Sequence, residues 1–243
     1  MEKNVLQVSE LKKNFGGLTA VNSLNFSLNP GEILALIGPN GAGKTTVFNL
    51  ITGFYKPDSG RIFLDGCPIV GLKPHGICRL GLARTFQIVQ PFLELSVLEN
   101  VVIGALNKER GLRNATKRAE GVLERTGLSP LATTKASAIT LADRKRLELA
   151  KALATGAGIL LLDEVMAGLT PKETELIIRV IKDINSEGIA ILVIEHVMKA
   201  VVALADRIIV IDYGIKIAEG LPNEVLKNRK VIKAYLGKEI ELA

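Results

Sequence analysis

An α/β protein with a buried parallel sheet, an antiparallel β layer near its start and a helical block inserted mid-chain follows from three features of this sequence. First, residues 33–37, 159–162, 189–194 and 207–211 are apolar runs without alternation, the character of strands covered on both faces. Second, a helix lies between two of these runs. Thr170 and Glu173 stand in capping-box spacing, with Pro171 at the first helical position. Leu176, Ile177, Val180, Ile181 and Ile184 give its apolar stripe, and Gly188 closes it. Strand, helix and strand with a short return make a parallel layer. Third, residues 90–155 change to a helical period.

Taken in order, Val5, Gln7 and Glu10 belong to a first short strand, and residues 24–28 alternate apolar and polar as a half-buried strand does. Residues 33–37 form the first core strand. A glycine-rich loop follows, then a helix running through Leu50 and Ile51 and ended by Gly53. Residues 61–64 with Asp65-Gly66 read as a strand and turn. These early strands predict an antiparallel sheet beside the core. In the middle block, helices are expected at 97–106, 116–125 and 143–155, separated by turn signals at Gly111 and Ser129-Pro130. There are no internal repeats and no low-complexity segment. The organisation expected is one domain over 1–243, its core formed by 1–89 and 156–243 and its helical part by 90–155.

Composition narrows the class. At 243 residues with 48% apolar content the chain can bury a full core. No segment is long and apolar enough to span a bilayer, and Met1 to Asn4 lack the apolar stretch of a secretory signal. Cys67 and Cys78 stand alone, without metal-ligand spacing, which points to a reducing, cytoplasmic setting. The net charge is +6 and the pI is about 9.3. Basic residues are dispersed, with short clusters at Arg144-Lys145-Arg146 and between Lys227 and Lys230, and there is no tryptophan for base stacking. Solvated surface accounts for the charge first, a nearby anionic membrane second, and nucleic acid is not expected as a partner.

The chemistry begins at Gly38-Pro39-Asn40-Gly41-Ala42-Gly43-Lys44-Thr45-Thr46, a full match to the phosphate-binding pattern G-x-x-x-x-G-K-[ST]. It lies between a predicted strand and a predicted helix, the context the pattern requires. Glycines let the loop curl so that backbone N–H groups face phosphate oxygens, and the helix N-terminus adds positive field. Lys44 is expected to reach the β- and γ-phosphates and Thr45 to ligate Mg²⁺, so the chain binds a nucleoside triphosphate. The strand at 159–162 ends in Asp163-Glu164, an acidic pair suited to a magnesium nucleotide site: Asp163 holding Mg²⁺ through water, Glu164 polarising the attacking water. His196 follows the next strand, where it can donate to the γ-phosphate. His75, in Pro74-His75-Gly76, reads as a surface turn residue.

The order of these motifs resembles the ATP-binding subunit of ATP-binding cassette (ABC) transporters over nearly the whole chain, which implies a P-loop NTPase fold with a RecA-like core, binding ATP and Mg²⁺. Arg84-Thr85-Phe86-Gln87 resembles the glutamine loop, where Gln87 would touch Mg²⁺ and the attacking water. Phe15 stands where the family stacks an aromatic on adenine, 167–170 at its D-loop, and His196 at its switch histidine. Residues 81–87, 96–101 and 213–237 are similar to the branched-chain amino acid importer subfamily. The resemblance implies a cassette dimer, homo- or heteromeric, enclosing two ATP molecules. Each site would pair one chain's phosphate loop with the other's signature helix. Two membrane permease subunits would dock near the Gln87 loop, an external solute-binding protein would act indirectly, and the chain would sit on the inner face of the membrane. The rivals are an ABC ATPase acting on nucleic acid, and a regulatory or assembly subunit that hydrolyses weakly.

The sequence departs from the family at the signature, Leu-Ser-Gly-Gly-Gln, where residues 139–143 read Ile-Thr-Leu-Ala-Asp. Thr140 keeps the hydroxyl. Leu141 takes the third position, Ala142 adds a methyl where glycine lets backbone approach phosphate, and Asp143 brings a negative charge, with Arg144 and Lys145 expected to offset it. Thr140 and Asp143 also stand in capping-box spacing, so the helix can still start here. Val165 replaces the proline that follows the catalytic glutamate, which predicts a looser loop, and Val197 follows His196 where aspartate is common in the subfamily. The expectation is asymmetry: an intact ATP site on this chain and a weakened grip on the partner's nucleotide.

Overall fold

A computed structural model describes residues 5–240, apart from the side chains of 236–240; Met1 to Asn4 and the Leu236-Gly237 side chains of the tail motif lie outside the described residues. The chain opens with a long hairpin, β1 (Leu6–Phe15) and β2 (Leu18–Leu28), in which Leu6 faces Leu28 and Phe15 faces Leu18. β1 is longer than the short strand expected from its apolar positions, because pairing with β2 on one edge and a later strand on the other carries it through Lys12 and Lys13. Next come β3 (Ile33–Ile37), α1 (Lys44–Ile51), β4 (Ser59–Leu64) and the short β5 (Cys67–Pro68). Strands β2-β1-β4-β5 make the antiparallel sheet in that order.

The segment Pro74-His75-Gly76 is not a turn: it opens the helix α2 (Pro74–Arg79), whose first position the proline occupies without losing a needed N–H. β6 (Leu82–Arg84) leads to the helical block, α3 (Val97–Ala105), α4 (Leu112–Arg125) and α5 (Leu141–Ala154). The chain then runs through β7 (Ile159–Asp163), α6 (Pro171–Ser186), β8 (Ala190–Ile194), α7 (Met198–Leu204), β9 (Arg207–Asp212), β10 (Ile215–Gly220), α8 (Pro222–Val225) and α9 (Arg229–Ile240). The predicted capping boxes at Thr170 and the helix start at Thr140 are both present, although Asp143 closes onto the Thr140 hydroxyl rather than its backbone.

The second sheet has the order β10-β9-β3-β8-β7-β6, parallel except for the edge strand β10. Its strands carry two interleaved sets of side chains. Ala35, Leu160, Leu162, Ile191, Val193 and Ile208 face the helical block and α6. Leu34, Leu36, Leu161, Leu192 and Ile209 face α1 and the antiparallel sheet. Both faces are therefore dry, which is why these runs are apolar without alternation. Phe48 of α1 is fully buried in the second layer, and its loss would cost ~3–5 kcal/mol. This packing holds the ends of β3, β7 and β8 rigidly side by side, and the candidate site is built on those ends.

Candidate functional site

Ile37 ends β3, and the loop to α1 turns in the smallest space available. A Cβ at Gly38 would lie 2.1 Å from the Ile211 carbonyl oxygen, and one at Gly43 2.2 Å from that of Ala20. Gly43 also has φ of 103°, in the left-handed region. The helix that follows has no side-chain N-cap and no acid in its first turn. Its leading N–H groups thus have no acceptor from a cap, and its positive end is uncompensated. Lys44 is 6% exposed. Its ammonium donates to the Gly38 and Pro39 carbonyls at 2.8 and 2.9 Å, which holds it inside the curl of the loop.

This loop forms one wall of a cleft of about 320 Å³ whose lining also includes Phe15, Thr45, Thr46, Glu164 and His196. Phe15, 42% exposed, stands edge-on to Tyr55 with ring centroids 5.3 Å apart. The structure adds Tyr213 to the lining, an exposed aromatic that the sequence reading left out. It is held at φ 45° just before Gly214, whose N–H donates to the Ala42 carbonyl of the phosphate loop.

Asp163 ends β7 and is buried. Its Oδ2 accepts from the Arg84 guanidinium at 2.6 Å, and its buried Oδ1 has no hydrogen-bond partner among the described residues. Burial pushes its pKa up, while the Arg84 pair and the Lys44 charge pull it down. Arg84 also donates to Asn49 at 2.6 Å and lies over the Phe48 and Phe86 rings. A hard divalent cation suits this buried carboxylate oxygen, which lacks a bonded positive or proton-donating neighbour among the described residues. Glu164 is next, at φ 48°. Its Oε2 accepts from Gln87 at 2.6 Å and its Oε1 lies 2.8 Å from His196 Nε2. The sequence expects Gln87 at Mg²⁺ and the attacking water and His196 at the γ-phosphate; in the structure both side chains also meet the Glu164 carboxylate.

The loop after Glu164, which carries Val165, is braced by its neighbours. Val165 is buried, the Glu164 N–H donates to the Ile194 carbonyl at 2.9 Å, and the Glu164 carbonyl accepts from Lys145 at 3.0 Å. Burial lowers the Lys145 pKa, against the pull of Glu195 and Glu164. Glu195, 2% exposed, accepts from the N–H groups of Met166 and His196 at 2.9 and 3.3 Å. Burial pushes Glu195 up to about 7. Neither Lys145 nor Glu195 was singled out as functional from sequence; an acid within the strand exit Ile194-Glu195-His196 was the only signal.

The segment matching the signature begins α5. The Asp143 N–H donates to the Thr140 hydroxyl at 3.2 Å, and that hydroxyl donates to Asp143 Oδ2 at 2.7 Å. The ion pair to Asp143 comes from Arg146, one turn on, and not from the expected Arg144 and Lys145. Those two are engaged elsewhere, Arg144 on the carbonyls of Ala136 and Ser137 and Lys145 on that of Glu164. Leu141 is exposed and Ala142 is buried.

Comparison with known proteins agrees with this geometry. The sequence profile of the ABC transporter family matches residues 21–167. The chain belongs to the ABC transporter ATP-binding family. A second profile, for the branched-chain amino acid ATP-binding cassette transporter, matches residues 216–241 of the cassette. The cassette is 44% identical to the high-affinity branched-chain amino acid transport ATP-binding protein LivG of Escherichia coli K12, over 98% of this chain and 99% of that one. It is 42% identical to BraF of Pseudomonas aeruginosa, described in the same words, at the same coverage. Among solved structures, a nucleotide-free ATP-binding cassette from an ABC transporter superposes with a TM-score of 0.88 at 32% identity, covering 96% of this chain and 98% of that one. A dimeric ATP-binding cassette in a post-hydrolysis state, bound to ADP and Pi, gives 0.80 at 25% identity, over 89% and 98%.

Proposed function

We propose that this cassette is the ATP-hydrolysing subunit of an importer for branched-chain amino acids. The observation that carries this is the uncapped N-terminus of α1, curled around Lys44 and facing Glu164 and His196 across one cleft. The loop N–H groups, Lys44 and Thr46 bind the phosphates, with adenine against Phe15. Thr45, Gln87 and Asp163, the last through water, would hold Mg²⁺, which would neutralise phosphate charge when bound. Glu164 accepts a proton from the attacking water, and Gln87 and His196 orient its two oxygens. Hydrogen bonds of 2.6 and 2.8 Å to one carboxylate support that orienting role.

The names of the relatives and the tail match support the substrate class. A second, larger groove of about 490 Å³ lies between the core and the helical block, lined by Phe54, Phe86, Ile88 and Ile103. Its apolar lining beside the Gln87 loop supports docking of a membrane permease there. No helix among the described residues is long and apolar enough to cross a membrane. The names of the transport ATP-binding relatives support a place at the inner membrane face, held there through permeases. A second cassette completes each ATP site, with Thr140, Leu141, Ala142 and Asp143 facing the partner's nucleotide. Glu164→Gln tests the reading. ATP binding should persist while transport of branched-chain amino acids by the assembled complex is lost; unchanged transport would favour the regulatory reading.

A further inference from the structure

The loop that carries Glu164 is gripped by two side chains that do not line the nucleotide cleft. From the helical block, Lys145, in the second turn of α5, donates to the Glu164 carbonyl at 3.0 Å. From the sheet, Glu195 at the exit of β8 accepts from the Met166 and His196 N–H groups at 2.9 and 3.3 Å. Both side chains are almost wholly buried, and each is an ionisable group whose charged form burial disfavours. What they hold is an unusual backbone, since Glu164 sits in the left-handed region that a residue with a Cβ keeps only when its surroundings dictate it. The same two parts also meet along one groove, lined by Leu141 and Lys145 of α5 and by Ala167 and Gly168 of this loop.

We propose that Lys145 and Glu195 are positioning residues that tie the first turns of α5 to the Glu164 main chain and to His196. This rests on the hydrolytic reading above, in which the start of α5 meets the partner's nucleotide. A helix is stiff along its length, and Lys145 lies only ~6 Å along the axis from Leu141. A shift of α5 on engaging the partner's ATP is therefore delivered to the Glu164 carbonyl. Glu195 then passes it to His196, because one carboxylate bonds both strand exits. The arrangement makes each chain's hydrolytic carboxylate responsive to the far site as well as its own.

The test uses the full chain with Lys145→Met, Lys145→Arg and Glu195→Gln. Calorimetry gives ATP affinity, steady-state assays give kcat, and NMR reports the imidazole signals of His196 and His75, the two histidines of the sequence. His75 is exposed and lines the other groove, so it serves as an internal control. Lys145→Met and Glu195→Gln should lower kcat by ~10-fold or more while Kd changes by less than ~2-fold, because the carboxylate is displaced and the phosphate cradle is not. Lys145→Arg, which keeps a donor, should retain kcat within ~3-fold. His196 signals should move in Lys145→Met, with His75 unmoved. Unchanged kcat in Lys145→Met, an arginine variant as poor as the methionine one, or equal movement of both histidines would overturn the proposal. Failure of the unaltered chain to bind ATP would instead overturn the hydrolytic reading beneath it.

Discussion

Replacing Arg84 by Met should unfold this protein far more easily than its place in a loop-flanking strand suggests. The guanidinium lies 2.6 Å from Asp163, with side chains only 6% and 3% exposed, so solvent screens the pair little. Methionine keeps the aliphatic bulk over Phe48 and Phe86, which limits any cavity, and isolates the loss of charge. Removing one partner of such a pair leaves a buried carboxylate uncompensated, at a cost of ~3–5 kcal/mol. Asn49 loses its partner as well. For a domain of this size, that corresponds to a fall in Tm of ~6–20 °C. Urea or thermal denaturation followed by circular dichroism measures it. The double variant Arg84→Met, Asp163→Asn should recover a large part of the loss, because the uncompensated charge is its cause. A loss under ~1 kcal/mol in the single variant, or strict additivity in the double, would refute the reasoning.

Three further outcomes follow from the same structure. Glu195 has its pKa raised above its unfolded value, so the unfolded chain releases this proton near pH 4.5 and the folded one near 7; its contribution to stability falls as pH rises through that window, by up to ~3 kcal/mol. The stability of Glu195→Gln relative to the unaltered protein should therefore climb between pH 4.5 and 7 and then level off, and a pH-independent difference by urea titration would contradict it. Gly43→Ala, which forces a Cβ to 2.2 Å from the Ala20 carbonyl, should weaken ATP binding by ~10-fold or more by displacing the loop; calorimetry with unchanged affinity would count against the cradle geometry. Restoring glycine at 142 and glutamine at 143 should raise ATP turnover by ~10-fold. A unit charge at roughly 6 Å from phosphate costs on the order of 3 kcal/mol at an effective dielectric of about 20, and Arg146 cancels part of it. Unchanged turnover would show that Asp143 does not oppose the nucleotide.

What could be read from the sequence was whatever is local. The phosphate loop, the helix from Pro171 and the double-faced strands each announce themselves within about ten residues, because turn geometry, caps and burial act over that range. The helix from Pro74 escaped because proline and glycine two apart also describe a turn. The antiparallel edge strand β10 escaped because one partner, β9, defines it and its own burial is shallow. Contacts across the chain were hidden for the same reason. Arg84 meets Asp163 from 79 residues away, and Lys145 reaches Glu164 from another element. Gln87, Glu164 and His196 were each identified as participants, but their mutual bonding depends on three strand exits that only the sheet order brings together. The offset of Asp143 by Arg146 rather than by its neighbours follows from helical spacing, which sets residues three apart on one face.

The central claim is that the curled loop and Lys44 capture the phosphates of ATP. Titration calorimetry of the full chain with Mg-ATP, before and after Lys44→Ala, tests it most directly. Binding should be saturable, and the substitution should weaken it by ~100-fold or more, as loss of a buried ammonium against polyphosphate requires. Equal heats from both proteins, or none from the unaltered chain, would contradict it.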